Sequence, residues 1–284
     1  MKYKLNPIFA LVICAVLWST GGFLIKSVDW APLAITGGRS GIAAIFMMIA
    51  LRRKPVFFVS GNKKATLNLW LGAVCYSLTM ILFVVATKMT TAANAVLLQY
   101  TNPIWIIIFG PALIGEKNRK SDYLAVVGVL AGMVLFFAED IGGGSFMGNI
   151  IAIIAGVAMG FMSIFMRRQK DASPEDSFIL SHIITLVMAL PFFFTKPLGN
   201  GFVGIACILA LGIVQIGLPS IMYSIGISGE SALTSMLISM IEPVMNPIWV
   251  MLIVHEVPTL SAVAGGVIIL GTIIARGYIQ NRKR

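Results

Sequence analysis

Apolar runs of about twenty residues follow one another along the whole chain. Short polar breaks separate them at 26–30, 52–66, 87–92, 115–122, 139–146, 168–176, 195–202, 228–231 and 254–259. A membrane-spanning helix needs roughly 20 mostly apolar residues, so these nine breaks predict ten transmembrane helices and leave no length for a soluble domain. The expected fold class is all-α and integral to the membrane. The first run, 7–25, has the look of a signal peptide, but it lacks a small-residue cleavage site and opens a series of similar spans. It is read as the first helix.

Composition agrees with this pattern. Soluble domains are about 45–50% apolar and about 25% charged, whereas this chain of 284 residues is 58% apolar and 11% charged, with a mean hydropathy of +0.94. Cys14, Cys75 and Cys207 each fall inside an apolar run, without the paired spacing of a disulfide framework or a metal site. They are expected to be small core residues.

The net charge of +10 raises the question of nucleic acid, but the basic residues sit in clusters between apolar spans rather than on one face of a domain. With a cytoplasmic N-terminus, 17 of the 21 Lys and Arg residues fall in inner segments, three (Lys26, Lys88, Lys196) in outer loops, and Arg39 inside a helix. The excess of positive charge on inner loops predicts that both termini are cytoplasmic, in a multi-pass protein of the plasma or inner membrane. Merging or splitting an early span would move later basic clusters outside, so the charge pattern also favours ten.

The chain repeats. Shifted by 140 residues, Ala92, Leu97, Pro103 and Glu116 fall on Ala232, Leu237, Pro243 and Glu256. Phe83 falls on Tyr223, Ala86 on Gly226, and Asn102-Pro103 on Glu242-Pro243. The third to fifth helices thus look related to the eighth to tenth, while the others align less well and Trp18 meets Ala158. Five helices per half is an odd number, so the second copy would enter the membrane from the opposite side. The expectation is two inverted five-helix repeats, 1–140 and 141–284, a recurrent transporter design with its substrate site near the midplane. Chance similarity between apolar helices is the alternative.

These residues resemble the drug/metabolite transporter superfamily, and within it the EamA-type ten-helix permeases. The resemblance covers nearly the whole chain. It rests on Trp18-Ser19, Arg39, Pro103 with Gly115-Glu116, Glu242-Pro243 and His255-Glu256, taken in order and spacing. It implies a permease exporting amino acids, other small metabolites or toxic organic compounds through a central cavity lined by helices 1, 3, 4, 6, 8 and 9. This sequence departs from an even cavity in one respect: Ala158-Met159 stands opposite Trp18-Ser19.

Polar side chains inside hydrocarbon are costly and usually face the bundle interior or a water-filled path. Glu242 shares a helical face with Ser235, Ser239 and Asn246 at steps of four, three and four. In the related fourth helix the matching positions include Gln99 and Asn102. Glu242 is the candidate to bind a cationic group of the substrate or a proton, the alternative being a structural carboxylate between helices. Trp18, Ser19, Tyr76, Phe83, Tyr100, Met159 and Tyr223 fall on helices expected to line the cavity, where core packing explains any one of them equally well. Arg39 could counter Glu242 or a substrate carboxylate, but is expected instead to pair with a neighbouring helix or with carbonyls, and His182 to be a hydrogen-bonded packing residue rather than a titrating one. Pro103, Pro243 and Pro247 each remove a backbone donor and are candidate hinges, although prolines are common in membrane helices. Met162 and Met166 continue the Met159 spacing, and Gly128 and Gly132 suit close helix contact. Glu116 and Glu256 are expected to cap a following helix or pair with a loop cation.

No P-loop, dinucleotide fingerprint, zinc helix or nucleophile elbow appears, so no cofactor or metal is expected and ATP does not drive the chain by itself. The predicted activity is secondary transport of a small metabolite, most directly an amino acid or a related amine or aromatic compound, by alternating access and in the export direction. The partners are that solute, membrane lipid and a candidate coupling proton, with no nucleic acid, in a monomer or a homodimer. Efflux of drugs or organic cations by proton antiport is the alternative. A membrane enzyme would need His, Asp or Cys gathered at one depth, and a channel would need a continuous polar pore helix.

Overall fold

The computed structural model describes residues 5–139, 145–195, 199, 201–254 and 259–281, and over these the chain is helical, with no strand. In order the helices are α1 (Pro7–Trp18), α2 (Gly21–Lys26), α3 (Pro32–Leu51), α4 (Lys63–Met89), α5 (Ala92–Gln99), α6 (Asn102–Ile114) and α7 (Lys120–Phe136). There follow α8 (Phe146–Arg167), α9 (Pro174–Ala189), α10 (Gly201–Ala210), α11 (Leu218–Gly229), α12 (Ala232–Ser239), α13 (Ile241–Val254) and α14 (Leu260–Asn281). A 3₁₀ turn, Leu190–Phe194, extends α9, and a π-helical segment, Leu211–Gly217, joins α10 to α11. Seven segments among the described residues are long and apolar enough to cross a membrane, and Pro7–Trp18 and Ala232–Met245 are shorter apolar stretches. This is a multi-pass helical membrane protein.

Local chemistry accounts for where helices begin and end. Asn6 accepts from the Ile8 amide at 2.9 Å ahead of Pro7, and Asn62 accepts from Ala65 at 3.0 Å, each satisfying an orphan donor of the first turn. Thr91 caps α5 through the Asn94 amide and Ser231 caps α12 through the Thr234 amide, both at 3.1 Å. These two caps are 140 residues apart, as are the helices they start. Gly115, at φ 71°, ends α6 in the left-handed conformation that glycine adopts without a steric penalty.

Three apolar runs are not continuous helices. The first breaks at Ser19-Thr20, the fourth at Tyr100-Thr101 and the ninth at Met240. Pro103 and Pro243 were expected to kink helices from within, but they lie in the first turns of α6 and α13, immediately after these breaks. The Gln99 carbonyl, which a Pro103 amide would have met in an unbroken helix, accepts instead from the Asn102 side chain at 3.1 Å. Pro111 frees the Ile107 carbonyl in the same way, and the Asn118 side chain returns to it at 2.7 Å. The π segment has a related cause. Pro219 has no amide to offer the Gln215 carbonyl, and the ladder widens just before it.

The most extensive packing joins α4 to α8, α7 to α14, α3 to α9, α4 to α9 and α1 to α11. The sets match: α5 and α6 lean on α8 as α12 and α13 lean on α1. Close approach depends on glycine. A side chain at Gly156 would meet the Gln99 carbonyl at 2.7 Å, and one at Gly160 the Asn102 carbonyl at 2.9 Å. Gly128 and Gly132 face α14 as the sequence suggested, with Thr272 Oγ1 at 2.9 Å and Ile269 Cγ1 at 2.8 Å from the respective Cβ positions.

One end of the bundle gathers Arg53 with Asp176 (3.2 Å), Arg167 with Glu116 (2.7 Å) and Arg276 with Asp122 (2.9 Å). Glu116 also accepts from the Ala232 amide at 3.0 Å, so it both pairs with a cation and caps α12. At the other end Thr90 donates to Asn149 at 2.6 Å and Ser261 to Glu139 at 2.7 Å.

Candidate functional site

The three helix breaks bring together residues far apart in sequence. In the ninth run, the break after Ser239 places Glu242 in the first turn of α13, where its carboxylate accepts from the Tyr100 hydroxyl at 2.7 Å. Tyr100 is itself the break residue of the fourth run and is buried. The contact spans 142 positions of sequence. Because α12 and α13 are separate helices, the continuous polar stripe expected from Ser235, Ser239, Glu242 and Asn246 is interrupted. Ser239 turns back to donate to the Ser235 carbonyl at 2.9 Å. The side chains of Asn246 and Pro247, and residues His255 and Glu256, lie outside the described residues.

At the first break, Ser19 donates to the Val16 carbonyl at 2.6 Å and accepts from the Trp249 indole at 2.7 Å, tying α1 to α13. Trp18 stacks on Tyr223 with ring centroids 5.6 Å apart. Tyr223 packs edge-on to Phe178 at 5.9 Å, and Phe178 to Tyr76 at 4.9 Å, so an unbroken aromatic row crosses the middle of the bundle. The Tyr223 hydroxyl is held by Ser163 on α8 at 2.9 Å. His182 continues the row beside Tyr76 at 5.7 Å. Its Nε2 lies 3.2 Å from Ser220 Oγ, whose proton is committed to the Ile216 carbonyl at 2.6 Å. The imidazole therefore donates from Nε2, as a packing histidine does.

A second polar group lies where α5 and α6 meet α8. Asn102 is fully buried and reaches the Met159 sulfur at 3.4 Å, while its Oδ1 has no partner. Gln99 is buried beside it, and Met159, Met162 and Met166 are all buried in the core. Phe83 does not join either group: it packs with Ala86, Ala95 and Ala152 in a separate small cluster. Its shift partner Tyr223 is central, but similarity under the repeat did not carry over to position.

Arg39 is buried and bonds to a neighbouring helical segment, as expected, but through an amide carbonyl oxygen rather than a carboxylate. Its Nη1 donates to Gln215 Oε1 at 3.0 Å, and its Nη2 approaches the Met80 sulfur at 3.6 Å. Gln215 in turn donates to the Trp18 carbonyl at 3.2 Å. Gln215 was not singled out from sequence, although it is the one strongly polar residue in the 201–219 run. No ion pair joins Arg39 and Glu242, whose hydrogen-bond partners are Gln215 and Tyr100 respectively.

Side chains close over this constellation: Trp18, Arg39, Tyr76, Tyr100, Tyr223 and Gln215 are all buried. Among the described residues an open cleft of about 210 Å³ lies at the charged end, between Glu116, Asp122, Glu230, Thr234 and Arg276.

Comparison with known proteins places these features in a family. The EamA-like transporter family matches the chain twice, over residues 5–138 and 146–275. An "Uncharacterized transporter" of Archaeoglobus fulgidus is 26% identical over 272 residues, covering 94% of each chain. Another of the same description from Clostridium kluyveri is 27% identical over 241 residues, covering 79% of this chain and 75% of that one. "Pseudopaline exporter CntI" of Pseudomonas aeruginosa is 24% identical over 280 residues, covering 95% of each. A solved structure superimposes with a TM-score of 0.82 over 98% of both chains at 20% identity, which shows a shared fold. With both halves matched by one model and the fold shared end to end, the chain belongs to the EamA-like transporter family of the drug/metabolite transporter superfamily.

Proposed function

We propose that this transporter carries a small metabolite with a cationic nitrogen, an amino acid or a related amine or aromatic compound, out of the cell by alternating access. The observation that carries the reading is that the fourth and ninth broken helices meet at Tyr100 and Glu242, and the first joins the ninth through Ser19 and Trp249. Discontinuous helices supply the substrate sites of many secondary transporters, and unwound backbone at membrane depth is tolerated where protein buries it or where it lines a water-filled cavity. Glu242 is the cation-binding group, and the aromatic row from Trp18 to Tyr76 offers π faces to an apolar or cationic moiety.

In this reading ten spans form two inverted halves, 1–140 and 141–284. The double family match, the caps at Thr91 and Ser231 and the matched helix pairs support that division. The halves rock about the Glu242 to Tyr100 contact, with Pro103, Pro243 and Pro247 beside the flexing points. The charged end, rich in Arg and Lys, faces the cytoplasm by the positive-inside rule, with both termini on that side in the inner membrane.

Counterflow in proteoliposomes tests this. Vesicles preloaded with an unlabelled amino acid or amine should transiently concentrate the same labelled compound above equilibrium, as a carrier does and a channel does not. A panel of amino acids, polyamines and aromatic amines showing no counterflow for any member would remove the reading.

A further inference from the structure

Arg39 leaves hydrogen-bonding capacity unspent in a place where that is expensive. A guanidinium has five N–H donors. Here Nη1 meets a neutral amide, Nη2 meets only a thioether sulfur, and Nε has no partner, although the residue is 6% exposed. A buried charge without an opposite charge in contact costs free energy unless something else pairs with it. The carboxylate of Glu242 is engaged by Tyr100 instead. A second unspent donor belongs to a residue on the same network: the Trp18 indole Nε1 is buried without a partner, and Gln215 bridges the Trp18 backbone carbonyl to Arg39.

From this surplus of donors we infer that Arg39 is the anion-binding pole of the transport site and that the cargo carries a carboxylate. The site is then dipolar. Arg39, with the Trp18 indole, holds the carboxylate of the solute, and Glu242, with Tyr100, holds its ammonium group. Gln215 occupies Arg39 Nη1 and leaves the Nε edge for the ligand, so one guanidinium is both anchored and available. Arginine suits this task because its planar fork matches a carboxylate. The inference rests on the transport reading above and narrows its substrate class from amines in general to amino acids and other amino-carboxylates.

The test compares each amino acid with its decarboxylated amine: arginine with agmatine, lysine with cadaverine, and tryptophan with tryptamine. Binding of each compound to the purified full chain is measured by calorimetry for wild type, Arg39→Gln and Gln215→Glu. The second variant keeps Arg39 in place and gives it an anionic partner, so it separates a binding role from a structural one even where Arg39→Gln folds poorly. Wild type is expected to prefer at least one acid over its amine by about tenfold or more, the equivalent of one good charged contact. Gln215→Glu is expected to reduce that ratio to near unity. A wild-type preference that survives within threefold in Gln215→Glu would overturn the inference and leave the transport reading standing, as would a wild type that binds the amines as tightly as the acids. A wild type that binds no compound of any pair would overturn both.

Discussion

The Tyr100 hydroxyl donates to the Glu242 carboxylate at 2.7 Å, and each residue stands at a break in its own membrane helix. Neither helix end would be adjacent to the other without the close packing of α5, α6 and α12 around α8 and α1. The bond fixes the carboxylate in a setting with little water to replace it. Tyr100→Phe removes only the donor oxygen. It is expected to destabilise the protein by about 1.5–3 kcal/mol, the range for hydrogen bonds to charged groups, and to weaken solute affinity. Thermal unfolding in detergent and transport KM measure the two effects separately.

The pairing of Asn118 with Pro111 gives a test by double-mutant cycle. Asn118→Ala strands the Ile107 carbonyl that Pro111 leaves without an amide partner, at an expected cost of about 1 kcal/mol. In a Pro111→Ala background the helix can bond that carbonyl itself, so the same Asn118→Ala change should cost close to nothing. Equal losses in both backgrounds would show that the side chain does not serve this carbonyl.

Asp122 and Arg276 form a buried pair at 2.9 Å, with Arg276 also bonding Thr234 at 3.1 Å. Asp122→Ala removes the carboxylate in direct contact with the guanidinium at the junction of α7, α12 and α14. Breaking a buried pair in this way costs about 3–5 kcal/mol. A substantial drop in unfolding temperature is expected, larger than for Asp176→Ala, whose partner Arg53 is one-third exposed.

Gly156 and Gly160 let α8 approach the backbone of the broken fourth span. Gly156→Ala puts a methyl group against the Gln99 and Leu98 carbonyls, which are backbone and yield little. The expected cost is about 1–3 kcal/mol, read as lower monodisperse yield and lower unfolding temperature, with Gly271→Ala, which meets nothing within 4 Å, as the neutral comparison.

The broad arrangement of apolar spans and several polar positions inside them were legible in the sequence. Hydropathy reports that a segment leaves water, and the 140-residue shift aligns helix starts because caps and prolines recur with it. The helix breaks were not legible, since Ser19-Thr20, Tyr100-Thr101 and Met240 interrupt the backbone ladder without interrupting the apolar run. For the same reason a stripe counted at helical spacing through Ser239 and Glu242 did not survive. Arg39 and Gln215 were both visible as polar residues in apolar runs, but their partnership depends on tertiary packing across 176 positions. Phe83 was named for its place on a helix expected to line the cavity, and membership of a helix does not set which of its sides faces the middle of the bundle.

The most direct measurement is uptake of the labelled amino-acid and amine panel into proteoliposomes by wild type and Glu242→Gln, with and without a pH gradient. The account predicts that transport collapses in Glu242→Gln for solutes bearing a cationic nitrogen, and loss of the gradient's effect alone would mark Glu242 as the proton-coupling group. Unaltered transport and unaltered pH response in Glu242→Gln would contradict the placing of the site at the junction of the broken helices.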